Sequence, residues 1–169
     1  MALETIFARR SIRKYQDKPV EKEKLEQLLQ AAMAAPTADN TRPWEFIVVT
    51  DPEVMDKVRS VMLLGKYNAP AAIIVCGNTS VFKNPVGKRF WVQDCSAATE
   101  NILLAAVELG LGTVWLGVHP IHNFEKRIAK TFKLPEHIKP LNVIYVGYPD
   151  QEKPARTQYD PKRVHWNQF

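Results

Sequence analysis

"AAIIVCG", residues 71–77, is an unbroken apolar run with two isoleucines and a valine at its centre. A run of this kind suits a strand covered on both faces. Three more stretches read the same way: "EFIVVT" (45–50), closed by Asp51-Pro52, "TVWLGV" (113–118) and "LNVIYVGYP" (141–149). Helical patterns lie around them. In "EKEKLEQLLQAAMAAP", Leu25, Leu28, Leu29, Ala32 and Met33 recur at i, i+3, i+4 until Pro36 stops the helix. Residues 2–10, 53–64, "FWVQDCSAATENILLAAVELG" and "FEKRIAKTF" complete the helices. Alternation of this sort predicts an α/β or α+β class around a central mixed sheet.

The long fourth helix carries Ala97, Asn101, Leu104 and Ala105 on a narrow face, which predicts close approach to another element. Gly110 stands where a helix ends in a C′ glycine. "GLGTVWLG" (110–117) is not a dinucleotide fingerprint, because Gly110 and Gly112 follow a helix and open a strand. Both read as a tight turn. Gly117, at a strand end, marks a place where a ligand can approach the backbone.

At 169 residues the chain has room for one domain, 1–169. No window reaches the length of a membrane helix, and residues 1–15 lack the apolar core of a signal peptide, so a cytoplasmic location is expected. Cys76 and Cys95 match no metal or redox spacing and read as small core residues, and the four histidines form no zinc array. The Asn78-Thr79-Ser80 sequon has no secretory context. No catalytic triad is legible, and Asp94 and Glu100 sit six apart on different helix faces. The formal charge of +5 is compatible with nucleic acid, but no nucleic-acid motif accompanies it. Chemistry carried by a cofactor is the reading that remains.

Charge gathers at the two ends. "FARRSIRKYQ" (7–16) holds Arg9, Arg10, Arg13 and Lys14, a density that makes most sense around an anion. The last segment, "DQEKPARTQYDPKRVHWNQF", mixes four cations with three aromatics and two prolines. Such a tail reads as packing on another surface, not on its own core. Between the ends, "TADNTRPW" is a loop by composition, and Trp44 reads as core, not ligand.

Taken together, "RRSIRKY", "AAPTADNTRPWEFIVV" and "LAAVELGLGTVWLG" resemble the nitroreductase family of FMN-dependent oxidoreductases, in order and over nearly the whole chain. The resemblance implies an α+β fold with a mainly antiparallel central sheet. It implies a homodimer with FMN at the subunit interface, and a C-terminal segment (148–169) that reaches across the partner. Arg9 and Ser11 match the positions that hold the FMN phosphate, with Arg10 beside them contributing its backbone. Arg13 matches the basic residue near the flavin N1 and C2 carbonyl, where a fixed cation stabilises reduced flavin. Lys66 stands near a second such position. Pro36, Thr37, Ala38 and Asn40 match contacts made from the other subunit, and Arg42 replaces a frequent glutamine. Leu116 and Gly117 match the backbone passing the flavin near N5.

At the C-terminal phosphate contact, Arg156 fits the family's basic pair while Gln158 departs from it. Lys162 or Arg163 could substitute for the missing charge. The implied activity is a ping-pong transfer from NADH or NADPH to a nitroaromatic, quinone or activated-alkene acceptor. No side chain need act as acid or base. A flavin-binding or flavin-fragmenting relative without turnover is the alternative, and a basic interaction module without cofactor is a third reading. Segments 64–68 and 78–90 are expected to cover the flavin face, and Lys83, Lys88 and Arg89 hint at an acidic or phosphorylated donor.

Overall fold

The computed structural model describes residues 2–63 and 65–169. Along the chain run α1 (Ala2–Ala8), α2 (Lys22–Met33), β1 (Trp44–Val49), α3 (Pro52–Val61), β2 (Ala71–Asn78), α4 (Trp91–Glu108), β3 (Gly112–Gly117), α5 (His122–Phe132) and β4 (Ile138–Gly147). Short 3-10 turns fall at Ala38–Asn40, Gly87–Phe90 and Pro161–Arg163. The strands form one sheet in the order β1-β2-β4-β3, and every ladder in it is antiparallel. The expected parallel component shrinks to an isolated bridge between Ser11 and Thr113.

Why the strands are apolar throughout is clear from their neighbours. Ala71, Ile73 and Val75 of β2 join one core cluster with Leu25 and Leu28 of α2 and Ala98 and Ile102 of α4. The alternate residues Ala72, Ile74 and Cys76 join a second cluster with Met55 and Val58 of α3 and Ile128 of α5. Side chains alternate across a strand, so a sheet with helices on both faces needs both sets apolar. Both cysteines are buried as free thiols.

The small-residue face of α4 does bring it close to α2, where the Asn101 amide donates to the Ala31 carbonyl at 2.9 Å. Three element ends differ from the sequence expectation. Helix α1 stops at Ala8 because the backbone from Arg9 onward turns to bond β3, Ile12 N donating to Thr113 O at 2.8 Å. Helix α3 is capped by Asp51, whose carboxylate accepts from Val54 N at 3.0 Å, and ends at Val61. The expected extension to Leu64 falls on a residue outside those described. Strand β4 begins at Ile138, taking in Pro140, which pairs with Cys76 at the register shift beyond the last β3–β4 pair. A proline is tolerated there because the ladder is already irregular.

Candidate functional site

The two charged ends of the chain lie side by side. Residues 7–16 run antiparallel to residues 148–156, starting where β4 delivers Tyr148 and Pro149 next to Tyr15. Gln16 N donates to Tyr148 O and Asp150 N to Lys14 O, each at 2.9 Å. Lys153 Nζ donates to the Ser11 carbonyl at 2.7 Å, the Arg10 guanidinium to the Pro154 carbonyl, and Arg156 N to Phe7 O at 2.9 Å. Tyr15 anchors this double strap from below, buried, with its hydroxyl donating to Ile12 O at 2.6 Å. Within 148–169, the first nine residues are thus held by their own N-terminus. Beyond Arg156 the character changes. Tyr159, Trp166 and Phe169 are 71%, 84% and 106% exposed, with nothing of their own core to cover them.

The strap concentrates cations. Arg9 leans on Glu100 of α4 at 3.5 Å and Lys14 pairs with Asp150 at 3.0 Å. Among the described residues, neither Arg13 nor Arg156 has a carboxylate partner. Burial lowers the Lys153 ammonium below its usual range, helped by the charges of Arg13, Arg10 and Arg156. Burial likewise raises the Glu100 carboxyl, against the opposing pull of Arg9. A cluster of this composition repels itself and is satisfied by a multivalent anion with several acceptor oxygens. Arg10, Arg13 and Arg156 all act on Lys153, whose ammonium is bound to the Ser11 carbonyl, while Arg9 leans toward α4. Lys162 and Arg163 lie in the exposed terminal turn, where Arg163 pairs with Asp160 at 3.5 Å.

Strand β3 leads away from this cluster. A Cβ on Gly112 would lie 2.8 Å from Ile12 Cγ2, so that glycine is required by the fold's own packing. Gly117 at the other end is not: among the described residues, apart from its two chain neighbours, nothing lies within 4 Å of the place its Cβ would occupy. Beside it opens an apolar cleft of about 260 Å³ lined by Met62, Leu63, Gly65, Trp115, Leu116 and Phe124 among others. Lys66 follows Gly65 at this cleft. Its segment is tied to the cationic strap through Asn68, whose amide accepts from Tyr15 N at 3.1 Å and donates to Tyr15 O at 2.6 Å. Past Gly117, His119 Nδ1 meets Glu125 Oε1 at 2.5 Å, and Trp91 stands edge-on to the imidazole at 4.9 Å.

Pro36, Thr37, Ala38 and Asn40 are not brought to this place. They precede β1, and β1 and β3 are opposite edges of the sheet. Three strand spacings separate them, roughly 14 Å. Inside the loop, Asp39, Asn40 and Arg42 take positive φ values of 53°, 50° and 50°. Thr37 Oγ1 accepts from Arg42 N at 3.1 Å, and Ala38 N donates to Asp94 Oδ1 of α4 at 2.9 Å. Trp44 packs against the α2/α4 core cluster, as read. Of the described part of segment 64–68, Gly65 lines the Gly117 cleft.

Two residues of consequence escaped the sequence reading. Lys153 carries no motif, and only its pairing with Ser11 shows its place. Asp94, whose spacing from Glu100 rules out a catalytic pair, is committed by the structure to the loop.

Comparison with known proteins agrees with this geometry. The family profile described as Nitroreductase family matches residues 6–65 and 63–148. A curated protein of Methanothermobacter thermautotrophicus, named "Putative NADH dehydrogenase/NAD(P)H nitroreductase", is 48% identical over 165 residues, covering 96% of this chain and 85% of its own. The structure of an FMN-dependent nitroreductase from Clostridium difficile R20291 superposes with a TM-score of 0.88 at 38% identity, covering 99% of both chains. A nitroreductase-type structure from Desulfovibrio desulfuricans, in complex with FMN, gives 0.81 at 28% identity, covering 99% of this chain and 97% of its own. The chain belongs to the nitroreductase family and has its α+β fold.

Proposed function

We propose that the protein is an FMN-dependent NAD(P)H oxidoreductase that works as a homodimer, with the flavin held between two copies of the chain. The observation that carries this is the cationic strap, which among the described residues leaves Arg13 and Arg156 without a carboxylate and sits at one end of β3 while Gly117 opens at the other. A strand rise of about 3.3 Å per residue puts Gly117 roughly 13 Å along β3 from Thr113. A ligand with a phosphate at one end and a flat ring at the other suits that layout. The FMN in the Desulfovibrio relative and the NAD(P)H in the archaeal relative's name support the same reading.

In this reading Arg9, Ser11 and Arg156 hold the phosphate, with the Arg10 backbone and Lys153 completing its surroundings. Arg13 and Lys66 place positive charge toward the ring's electron-rich edge. The backbone of Leu116 and Gly117 runs along the ring. Pro36, Thr37, Ala38 and Asn40 come from the second copy, since their own chain holds them at the far edge of the sheet. Residues beyond Arg156 cross to the partner, which covers Tyr159, Trp166 and Phe169. Bound FMN supplies two-electron chemistry between NADH or NADPH and an acceptor. The chain's part is to bind, orient and polarise, with donor and acceptor using one cleft in turn. Nitroaromatics, quinones and activated alkenes are the acceptor classes, and the cytoplasm is the setting.

An anaerobic visible spectrum of FMN-loaded protein, before and after NADH and then NADPH, tests the reading. Bleaching of the flavin band by either nucleotide is expected and names the donor. A band that neither changes would favour a flavin-binding or flavin-fragmenting protein. Failure to take up FMN at all would overturn the assignment.

A further inference from the structure

Asp94 lies in the first turn of α4 and is only 5% exposed. One carboxyl oxygen accepts the Ala38 N–H; the other, Oδ2, is buried without a hydrogen-bond partner among the described residues. Burial raises this carboxyl above its ordinary range, with the Ala38 amide pulling the other way. A half-satisfied buried carboxylate is a liability to the fold. An apolar side chain here would bury no unpartnered oxygen, so stability alone does not account for an acceptor at this position.

What Asp94 does accomplish is specific. It ties the start of the Ala38–Asn40 turn to the longest helix of the molecule. In that turn and just after it, three non-glycine residues hold left-handed backbone conformations, which are unfavourable and persist only where surroundings enforce them. The other side-chain bonds of the turn, from Thr41 Oγ1 to Ala38 O and from Arg42 N to Thr37 Oγ1, stay within the loop itself. The bond to Asp94 anchors the loop to the body of the fold.

We propose that Asp94 is a positioning residue for flavin binding, fixing Ala38 and through it the loop that presents Thr37, Ala38 and Asn40 to the flavin. The proposal rests on the flavin reading above. Apoprotein is titrated with FMN by flavin fluorescence, and its melting is followed without FMN. Asp94→Leu is expected to raise the FMN dissociation constant about tenfold while leaving the apoprotein's melting temperature unchanged or higher. Asp94→Asn keeps an acceptor for Ala38 and is expected to stay within about threefold of wild type.

Ala38→Pro approaches the bond from its donor side, and the extended backbone of Thr37 (φ −138°, ψ 151°) accepts a following proline. It should reproduce the loss, and the double variant Ala38→Pro/Asp94→Leu should bind no more weakly than either single one. This second route keeps the test readable if Asp94→Leu does not fold. Wild-type affinity in Asp94→Leu or in Ala38→Pro overturns the proposal. So does an Asp94→Asn as weak as Asp94→Leu, or an affinity loss in Asp94→Leu that comes with a lower apoprotein melting temperature. Wild-type protein that takes up no FMN would bring down the flavin reading itself, an outcome distinct from any variant-specific change.

Discussion

Lys153 Nζ donates to the Ser11 carbonyl at 2.7 Å, and that bond stitches the C-terminal segment to the N-terminal arginine cluster. Lys153 thereby brings a fourth cation to Arg10, Arg13 and Arg156 and offsets the charge absent at Gln158. Lys153→Met should weaken FMN binding about tenfold, the order of a hydrogen bond involving a charged group. Arg9→Ala should cost about 1.5 to 3 kcal/mol of FMN affinity on the same ground. Titrations at low and high salt should show a shallower salt dependence in both variants. Unchanged affinity would remove the substituted residue from the phosphate site.

The two glycines of β3 should respond in opposite ways. Gly112→Ala drives a methyl to within 2.8 Å of Ile12 Cγ2, an overpacking worth about 1 to 3 kcal/mol of stability. Gly117→Ala meets nothing within 4 Å among the described residues beyond its chain neighbours, so the apoprotein should melt as wild type while FMN binding weakens severalfold. Thermal melts of both apoproteins and an FMN titration of Gly117→Ala check the pair. A Gly117→Ala protein with intact FMN affinity would place the flavin elsewhere.

No residue from 157 to 169 is buried in its own chain, and three large aromatics there stand open. Truncation after Arg156 keeps the strap and should leave the apo fold intact by circular dichroism. Sedimentation should shift from dimer to monomer, with loss of FMN, because the loop 36–42 then no longer reaches the strap of another copy. A truncated protein that remains dimeric would locate the interface away from the tail.

Alkaline stability should report the buried thiols. Burial pushes Cys76 and Cys95 up to about 12, with Glu45 adding at Cys76 and Asp94 at Cys95. A folded pKa above the unfolded value near 8.5 gives stability that is complete below about pH 8.5 and lost as the pH climbs toward 12. The slope is about 1.4 kcal/mol per pH unit for each thiol titrating only in the unfolded chain. Denaturant midpoints measured from neutral to alkaline pH should stay level and then fall. Replacing both cysteines with alanine should flatten the fall up to about pH 10, above which the buried Tyr15 and Tyr145, also raised, continue it, and a disulfide-exchange reagent should label neither thiol until the protein is unfolded.

Much of the fold is legible in the sequence. The apolar runs of β1 to β4 announced a sheet covered on both sides, because Ile73 and Ile74 each need a hydrophobic neighbour and face opposite ways. Gly110 announced a helix end, and it takes the left-handed φ of 70° that such an end requires. The cluster from Arg9 to Arg13 points to an anion, since like charges at that density need one, and the proposed phosphate site rests on it. These are local signals: strand alternation, cap geometry and charge density are set by residues a few positions apart.

Only the tertiary structure decided which distant pieces meet. It paired Lys153 with Ser11, committed Asp94 to Ala38, packed residues 148–156 on the chain's own N-terminus, and set the loop before β1 and Gly117 on opposite edges of the sheet. Each of these depends on the order and register of strands far apart in the chain. Register is settled by how whole faces of helices and sheet fit together, and no short window of sequence carries that information.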